Sequence, residues 1–257
     1  LNKSSKKTSG DIGEWVARGP GNVGGRTRAL ALDLMDENII LAGGVSGGLW
    51  RSTDAGQNWT RVTKPDQNPS ITAITQDPRP GHNNTWYYAT GETIGNSASG
   101  NEAIFRGTGV YKSINNGVDW SQIENTTDGS VTNITEPDYM SSIAVDPTNG
   151  DVYVATLNSV FRLKEGNINN MFVGLILKPQ NALSEIAITP LGKIYATFNK
   201  NGATQGGILV SDDGDTWTDI TPTDLSTANY GRTVIAIDPQ NENTVWFLSV
   251  NVTFELQ

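Results

Sequence analysis

The sequence predicts an all-β fold, a β-propeller of four-stranded blades, from three features of its 257 residues. One turn is written three times: "STDAGQNW" at 52–59, "SINNGVDW" at 113–120 and "SDDGDTW" at 211–217. Each copy joins a glycine-opened strand ("GGLWRS", "TGVYKS", "GGILVS") to a second short one ("NWTRV", "DWSQI", "TWTDI"). Ahead of them recurs an apolar strand closing near Asp-Pro, then a strand of aromatic and β-branched residues, as in "ITAITQDP" with "TWYYATG". Four alternating strands per unit, with turn signals between them, is the pattern of a propeller blade.

The opening "LNKSSKKTSGDIG", residues 1–13, is small and polar and reads as a flexible leader. It starts at Leu1 with no signal peptide, as a mature secreted protein does. Residues 14–18, "EWVAR", place Trp15 as if it followed a missing turn, and are expected to close a ring as the outer strand of its last blade. Blades are expected at about 26–64, 70–126, 141–174 and 184–221, with a partial one over 232–257. The turn serines stand 61 and 98 residues apart, and 98 is twice 49. Blade periods run about 40–50 residues, so the wide gap hides a blade with a decayed turn, for which "SVFRLKEGNINNMFVG" at 159–174 fits. No helix is expected. About four and a half blades leave an incomplete ring with open edges, a liability that further blades beyond Gln257 or a partner chain would relieve.

The turn's chemistry is local. Asp54, Asn115 and Asp213 accept hydrogen bonds from backbone N–H groups just ahead of them, and Ser52, Ser113 and Ser211 add another local bond. Gly56, Gly117 and Gly214 supply the positive φ of a tight reversal. Trp59, Trp120 and Trp217 are large enough to bury the turn beneath a ring. No nucleophile, base or metal-ligand set is assembled, so the roles are structural.

Composition excludes several functions. A net charge of −9 argues against a nucleic-acid partner and against adhesion to anionic lipid. No apolar run has the length of a membrane span. With no Cys, disulfides, zinc thiolates and cysteine catalysis are out. No dense D-x-D-x-D-G run marks a calcium loop, and no cofactor or metal is expected. His82, in the turn "PRPGHNN", reads as a solvated loop residue.

The pattern Ser-x-Asp-x-Gly-x-x-Trp resembles the Asp box, or bacterial neuraminidase (BNR) repeat, of sialidases, sortilin-type receptors, xyloglucanases and a photosystem assembly factor. The stretches "GPGNVGGRTRALALD", "ILAGGVSGGLWRSTDAGQNW" and "YYATGETIGNSASGNEAIFRGTGVYKS" are most similar to large secreted Asp-box proteins of Bacteroidota. That resemblance implies a secreted or cell-surface location, and type IX secretion machinery as a partner. Sialidases carry an Arg-Ile-Pro motif near the first box, which is absent here. Xyloglucanases carry Arg-Thr-Asp-Val-Gly-Gly with a catalytic Asp; the matching "GGVSGG" at 43–48 puts Val45 in its place. A glycosidase needs two carboxylates about 5–10 Å apart, so this substitution speaks against hydrolysis.

Candidate ligand-binding residues gather at one end of the blades. Arg26 and Arg232 open inner strands in matching "GRT" contexts, and Arg28 shares a face with Arg26. They either bind an anion or hold carboxylates such as Glu185 or Asp138 on neighbouring blades. The longest loop, 91–107, brings Glu92, Asn96, Glu102 and Arg106 to the same end, with Tyr139 and Tyr230 nearby on neighbouring connections. The expected function is non-catalytic recognition of a glycan or protein on this face. A glycoside hydrolase with part of its machinery elsewhere, or a structural spacer, are the alternatives.

Overall fold

The computed structural model describes residues 25–92, 104–127, 138–157, 159–166, 173–177, 184–200, 206–227, 229–238 and 240–251. The expected leader and closing strand lie outside the described residues, as do Asn96 and Glu102. The chain is a β-propeller arc of antiparallel sheets. The first sheet holds β1 (Thr27–Leu32), β2 (Ile40–Gly44), β3 (Gly48–Ser52) and β4 (Thr60–Arg61). The second holds β5 (Ile71–Gln76), β6 (Trp86–Thr90), β7 (Val110–Ser113) and β8 (Ser121–Gln122). The third holds β9 (Met140–Val145), β10 (Val152–Thr156), β11 (Ser159–Leu163) and β12 (Val173–Leu177). The fourth holds β13 (Ser184–Ile188), β14 (Ile194–Phe198), β15 (Gly207–Ser211) and β16 (Thr218–Asp219). Among the described residues the fifth sheet has two strands, β17 (Tyr230–Asp238) and β18 (Asn241–Asn251). Strand order within each sheet is chain order, and the first strands β1, β5, β9, β13 and β17 pack side by side around the arc.

One short helix, α1 (Thr223–Thr227), corrects the expectation of none. Pro222 fixes the backbone at its entry, and Asp224 lies in its first turn, where a carboxylate suits the helix dipole.

The core lies between sheets. Alternate residues of one strand face opposite neighbours. Trp86 and Tyr88 of β6 join Leu41 and Ala29 of the first sheet, whereas Tyr87 and Ala89 join Val152, Val154 and Leu163 of the third. A third cluster pairs Tyr153, Ala155 and Val160 with Ile194, Phe198 and Leu209 of the fourth sheet. Tyr195 meets Phe247 edge-on at 6.0 Å, which ties the fourth sheet to the fifth. Every inner sheet is thus apolar on both faces and depends on its neighbours for burial.

The three boxed turns close as hydrogen-bonded hairpins. Ser52 Oγ donates to Asp54 Oδ1 at 2.8 Å and accepts from Gly56 N at 2.8 Å. Ser113 and Ser211 make the same pair of bonds, to Asn115 and Asp213 and from Gly117 and Gly214. Asn58, Asp119 and Thr216 donate their N–H groups to the same acidic or amide oxygen. Ala55 and Asn116 share the positive φ of the glycine that follows them, at 56° and 58°; the third copy, one residue shorter, omits that residue. Trp59 and Trp120 donate Nε1–H to the box glycine carbonyl at 3.0 Å, a bond the shorter hairpin's Trp217 does not make. Trp120 is buried against Tyr88, ring centroids 4.7 Å apart, whereas Trp59 is only half-buried.

At the same end of the arc as the boxed hairpins, the inner strands close by a second repeated device. Asp33, Asp77, Asp146 and Asp238 each accept the backbone N–H two residues ahead, an Asx turn. In the fourth sheet Thr189 takes this place and accepts from Lys193 N through its hydroxyl.

Trp120→Ala will destabilise the protein by about 3–5 kcal/mol, the usual cost of truncating a buried large aromatic. Trp59→Ala will cost clearly less, because its ring is partly solvated; urea unfolding of both variants measures the difference. The backbone N–H groups of Asn58 and Thr216 hold the Asp54 and Asp213 carboxyls at about 2, below their ordinary 3.8. Their folded-state values being depressed, the stability they contribute is present above about pH 4 and fades as pH falls toward 2. Asn already serves at 115, so Asp54→Asn with Asp213→Asn will keep the hairpins and flatten the fall in urea midpoint between those pH values.

Candidate functional site

The end of the arc opposite the boxed hairpins brings together arginines and carboxylates of different sheets. Local backbone irregularity explains how. β1 shifts register against β2 between Thr27 and Ala29, leaving Arg28 as an extra, bulged residue. β17 shifts against β18 between Tyr230 and Thr233, across Gly231 and Arg232. A bulge re-aims a side chain that a regular ladder would hold perpendicular to the sheet. The same place in β5 and β9 holds Thr72 and Ser141, whose hydroxyls donate to the carbonyls of Ala89 and Ala155. In the first and fifth sheets, long cations replace these self-satisfied hydroxyls.

Arg28 Nε lies 2.9 Å from Glu92 Oε2, and Arg26 reaches the same oxygen at 3.8 Å. Glu92 is itself buried, pinned by a two-way backbone bridge to Phe105 at 2.7 and 2.9 Å. Arg232 binds Glu185 Oε2 at 2.6 Å. Burial pushes the Arg28 guanidinium below its ordinary value, Glu92 opposes this, and Arg232 adds to it. Because Arg28 also feels Glu185, charges from the first, second, fourth and fifth sheets act on one another here. Three guanidinium groups face two carboxylates, a local excess of one positive charge in a protein of net charge −9.

Arg106 stands slightly apart. Its Nη2 binds the buried Asp138 at 2.6 Å, and Gly107 N donates to the Asp138 carbonyl at 2.8 Å. Gly91 is required at this crossing: its φ is +96°, and a Cβ would strike the same carbonyl. Tyr139, 7% exposed, follows Asp138, and burial raises its phenol above the ordinary value. Tyr230, 2% exposed, exchanges two backbone bonds with Lys200, and burial pushes its phenol up to about 12. Both tyrosines leave little ring surface open to solvent, so neither offers a face to a ligand here.

Thus Arg26, Arg28, Glu92 and Arg232 converge with Glu185, while Arg106 forms a separate pair with Asp138. Neither bulge is marked in the sequence, because both arginines sit in ordinary strand openings. Val45 is buried, and its N–H binds the Arg26 carbonyl at 3.0 Å, so the position matched to a catalytic Asp adjoins the cluster without a carboxylate. His82, on the opposite end, is half-exposed and 3.9 Å from Asp77. Among the described residues no group of three or more His, Cys, Asp or Glu is placed to hold a metal ion.

No family model matches the chain, and no curated protein matches it. Solved structures do. The chain is similar to the GH74 enzyme of Niastella koreensis, at 19% identity and a TM-score of 0.60, over 85% of this chain and 33% of that one. It is similar to YCF48 bound to D1 peptide, at 15% identity and a TM-score of 0.54, over 88% of this chain and 61% of that one. It is also similar to the extracellular domain of the putative hybrid two-component system BT4673 of B. thetaiotaomicron, at 16% identity and a TM-score of 0.55, over 86% of this chain and 25% of that one. The chain therefore spans about a third of the GH74 enzyme's length. At such identities the likeness is one of fold, and the fold it shares with all three is the β-propeller.

Proposed function

We propose that this arc is a non-catalytic recognition module of a larger extracellular or cell-surface protein, and that it binds a glycan or a protein segment at the end bearing Arg28 and Arg232. The carrying observation is the pair of bulged arginines, aimed from two sheets into one cluster with Glu92 and Glu185. Such a set offers bidentate donors to carboxylates and acceptors to hydroxyls, which suits acidic or hydroxyl-rich ligands. Propellers of the same fold that include an extracellular domain and a peptide complex support a recognition role. Among the described residues no helix is long and apolar enough to cross a membrane. Export through type IX machinery belongs to this reading on the strength of the sequence resemblance.

The second reading, glycoside hydrolysis, draws on the likeness to a GH74 enzyme. Against it stand Val45 at the position of the catalytic Asp and the engagement of Glu92 and Glu185 by guanidinium groups.

The test is titration calorimetry of the chain against a panel of neutral and uronate-bearing oligosaccharides, with reducing ends assayed in the same samples. Binding without new reducing ends is the expected result. Arg28→Ala with Arg232→Ala will weaken that binding at least about tenfold, the loss of roughly one charge-assisted contact. Release of reducing ends would favour the hydrolase, and failure to bind any member of the panel or a peptide library would end the recognition reading.

A further inference from the structure

The junctions between sheets follow a rule of position. In each sheet one residue of the second strand pairs with a small residue of the first: Leu41 with Ala31, Tyr87 with Thr75, Tyr153 with Ala144, Tyr195 with Ala187 and Trp246 with Ala236. On two of these residues the boxed hairpin of the next sheet comes to rest. Gly117 sits over Leu41, where a Cβ would approach to 3.1 Å, and Gly214 sits over the Tyr153 ring so closely that a Cβ has no room. Directly across the ladder from those two seats stand Arg51 and Arg162. Each reaches forward to the carbonyl just before the hairpin glycine: Arg51 Nε to Asn116 O at 2.9 Å, and Arg162 Nη1 to Asp213 O at 3.0 Å. Seat, cation and boxed glycine therefore form one repeated docking unit. In the second sheet, whose successor has no boxed turn, Lys112 stands across from Tyr87 and lies over its ring at 5.4 Å.

The fifth sheet carries the seat without its cover. Trp246 is 54% exposed, beside Leu248 at 75% and Val234 at 44%. The cross-strand pairs Val234–Leu248 and Ala236–Trp246 make these residues one continuous apolar face. Among the described residues β18 pairs with β17 alone, where every other second strand has a third beside it.

We propose that this face is a blade junction, and that its occupant is a further propeller blade carrying its own Ser-x-Asp-x-Gly-x-x-Trp hairpin, with that glycine seated on Trp246. The third strand that completes the fifth sheet then carries an arginine or lysine opposite Trp246, reaching the carbonyl ahead of that glycine. Continuity with the four established junctions argues for this occupant. A second copy docking its own 52–59 hairpin on Trp246 is disfavoured, because each copy carries −9 and the two would repel. The proposal is independent of the ligand-binding reading and concerns another surface.

The test places photo-reactive benzoylphenylalanine at position 246 in the protein as its own cells make it, and identifies the cross-linked peptide by mass spectrometry. The expected partner is a boxed hairpin other than those at 52–59, 113–120 and 211–217. A cross-link to residues 52–59 of a second copy, or to a polypeptide without such a hairpin, overturns the proposal. Hydroxyl-radical footprinting of the unsubstituted protein supplies the independent reading. Oxidation of Trp246 seen in the isolated 257-residue chain should be lost in the cellular protein, and equal oxidation in both overturns it too.

Discussion

What the architecture depends on is the burial of both faces of each sheet. A four-stranded sheet with Trp86 and Tyr88 on one side and Tyr87 and Ala89 on the other has no solvent face to give. It becomes stable only between two others, so the unit of folding is the junction and not the blade. This explains why most of the fully buried aromatic residues lie in the second strands of interior sheets, whereas Leu30 on the outer face of the first sheet and Trp246 on that of the fifth remain in water.

Polar groups at the two ends of the arc solve different problems. At the hairpin end, serine, Asp or Asn, and glycine satisfy a reversing backbone with bonds confined to a few residues, and the guanidinium of the preceding sheet locks the turn in place. At the other end the ion pairs run between sheets: Arg28 to Glu92, Arg106 to Asp138, Arg232 to Glu185. These carboxylates are largely or wholly withdrawn from water, where an unpaired charge is costly, so each pair fixes the approach of two blades as well as shaping the surface between them.

Much of this was legible in the sequence because it is periodic. Asp-Pro endings, strand pairs and the Ser-x-Asp-x-Gly-x-x-Trp turn repeat, and repetition separates signal from chance even in the third sheet, where the turn is lost but β11 and β12 form. The burial of individual tryptophans was not legible. Trp59 and Trp120 occupy the same place in one motif, yet only Trp120 has a preceding described sheet to bury it. Register shifts were equally hidden: nothing in "GRTRALALD" marks Arg28 as the extra residue of a bulge, because the shift depends on what β2 offers across the ladder. Arg51 and Arg162 carry no mark in the sequence for a related reason. A basic residue near the end of a third strand is ordinary, and it acquires meaning only when the next hairpin arrives above it.

The bulged position also separates two tasks that most sequence positions must serve together. Arg28, Thr72 and Ser141 lie outside the regular pairing of their strands, so the ladder places no demand on the identity of their side chains. Exchange between cation and hydroxyl at these places leaves the strand register alone while rewriting the surface at this end of the arc. A fold with such a position in four of its five described sheets can change the surface it presents one side chain at a time within an unchanged register, which is a reason for one architecture to serve partners of unrelated chemistry.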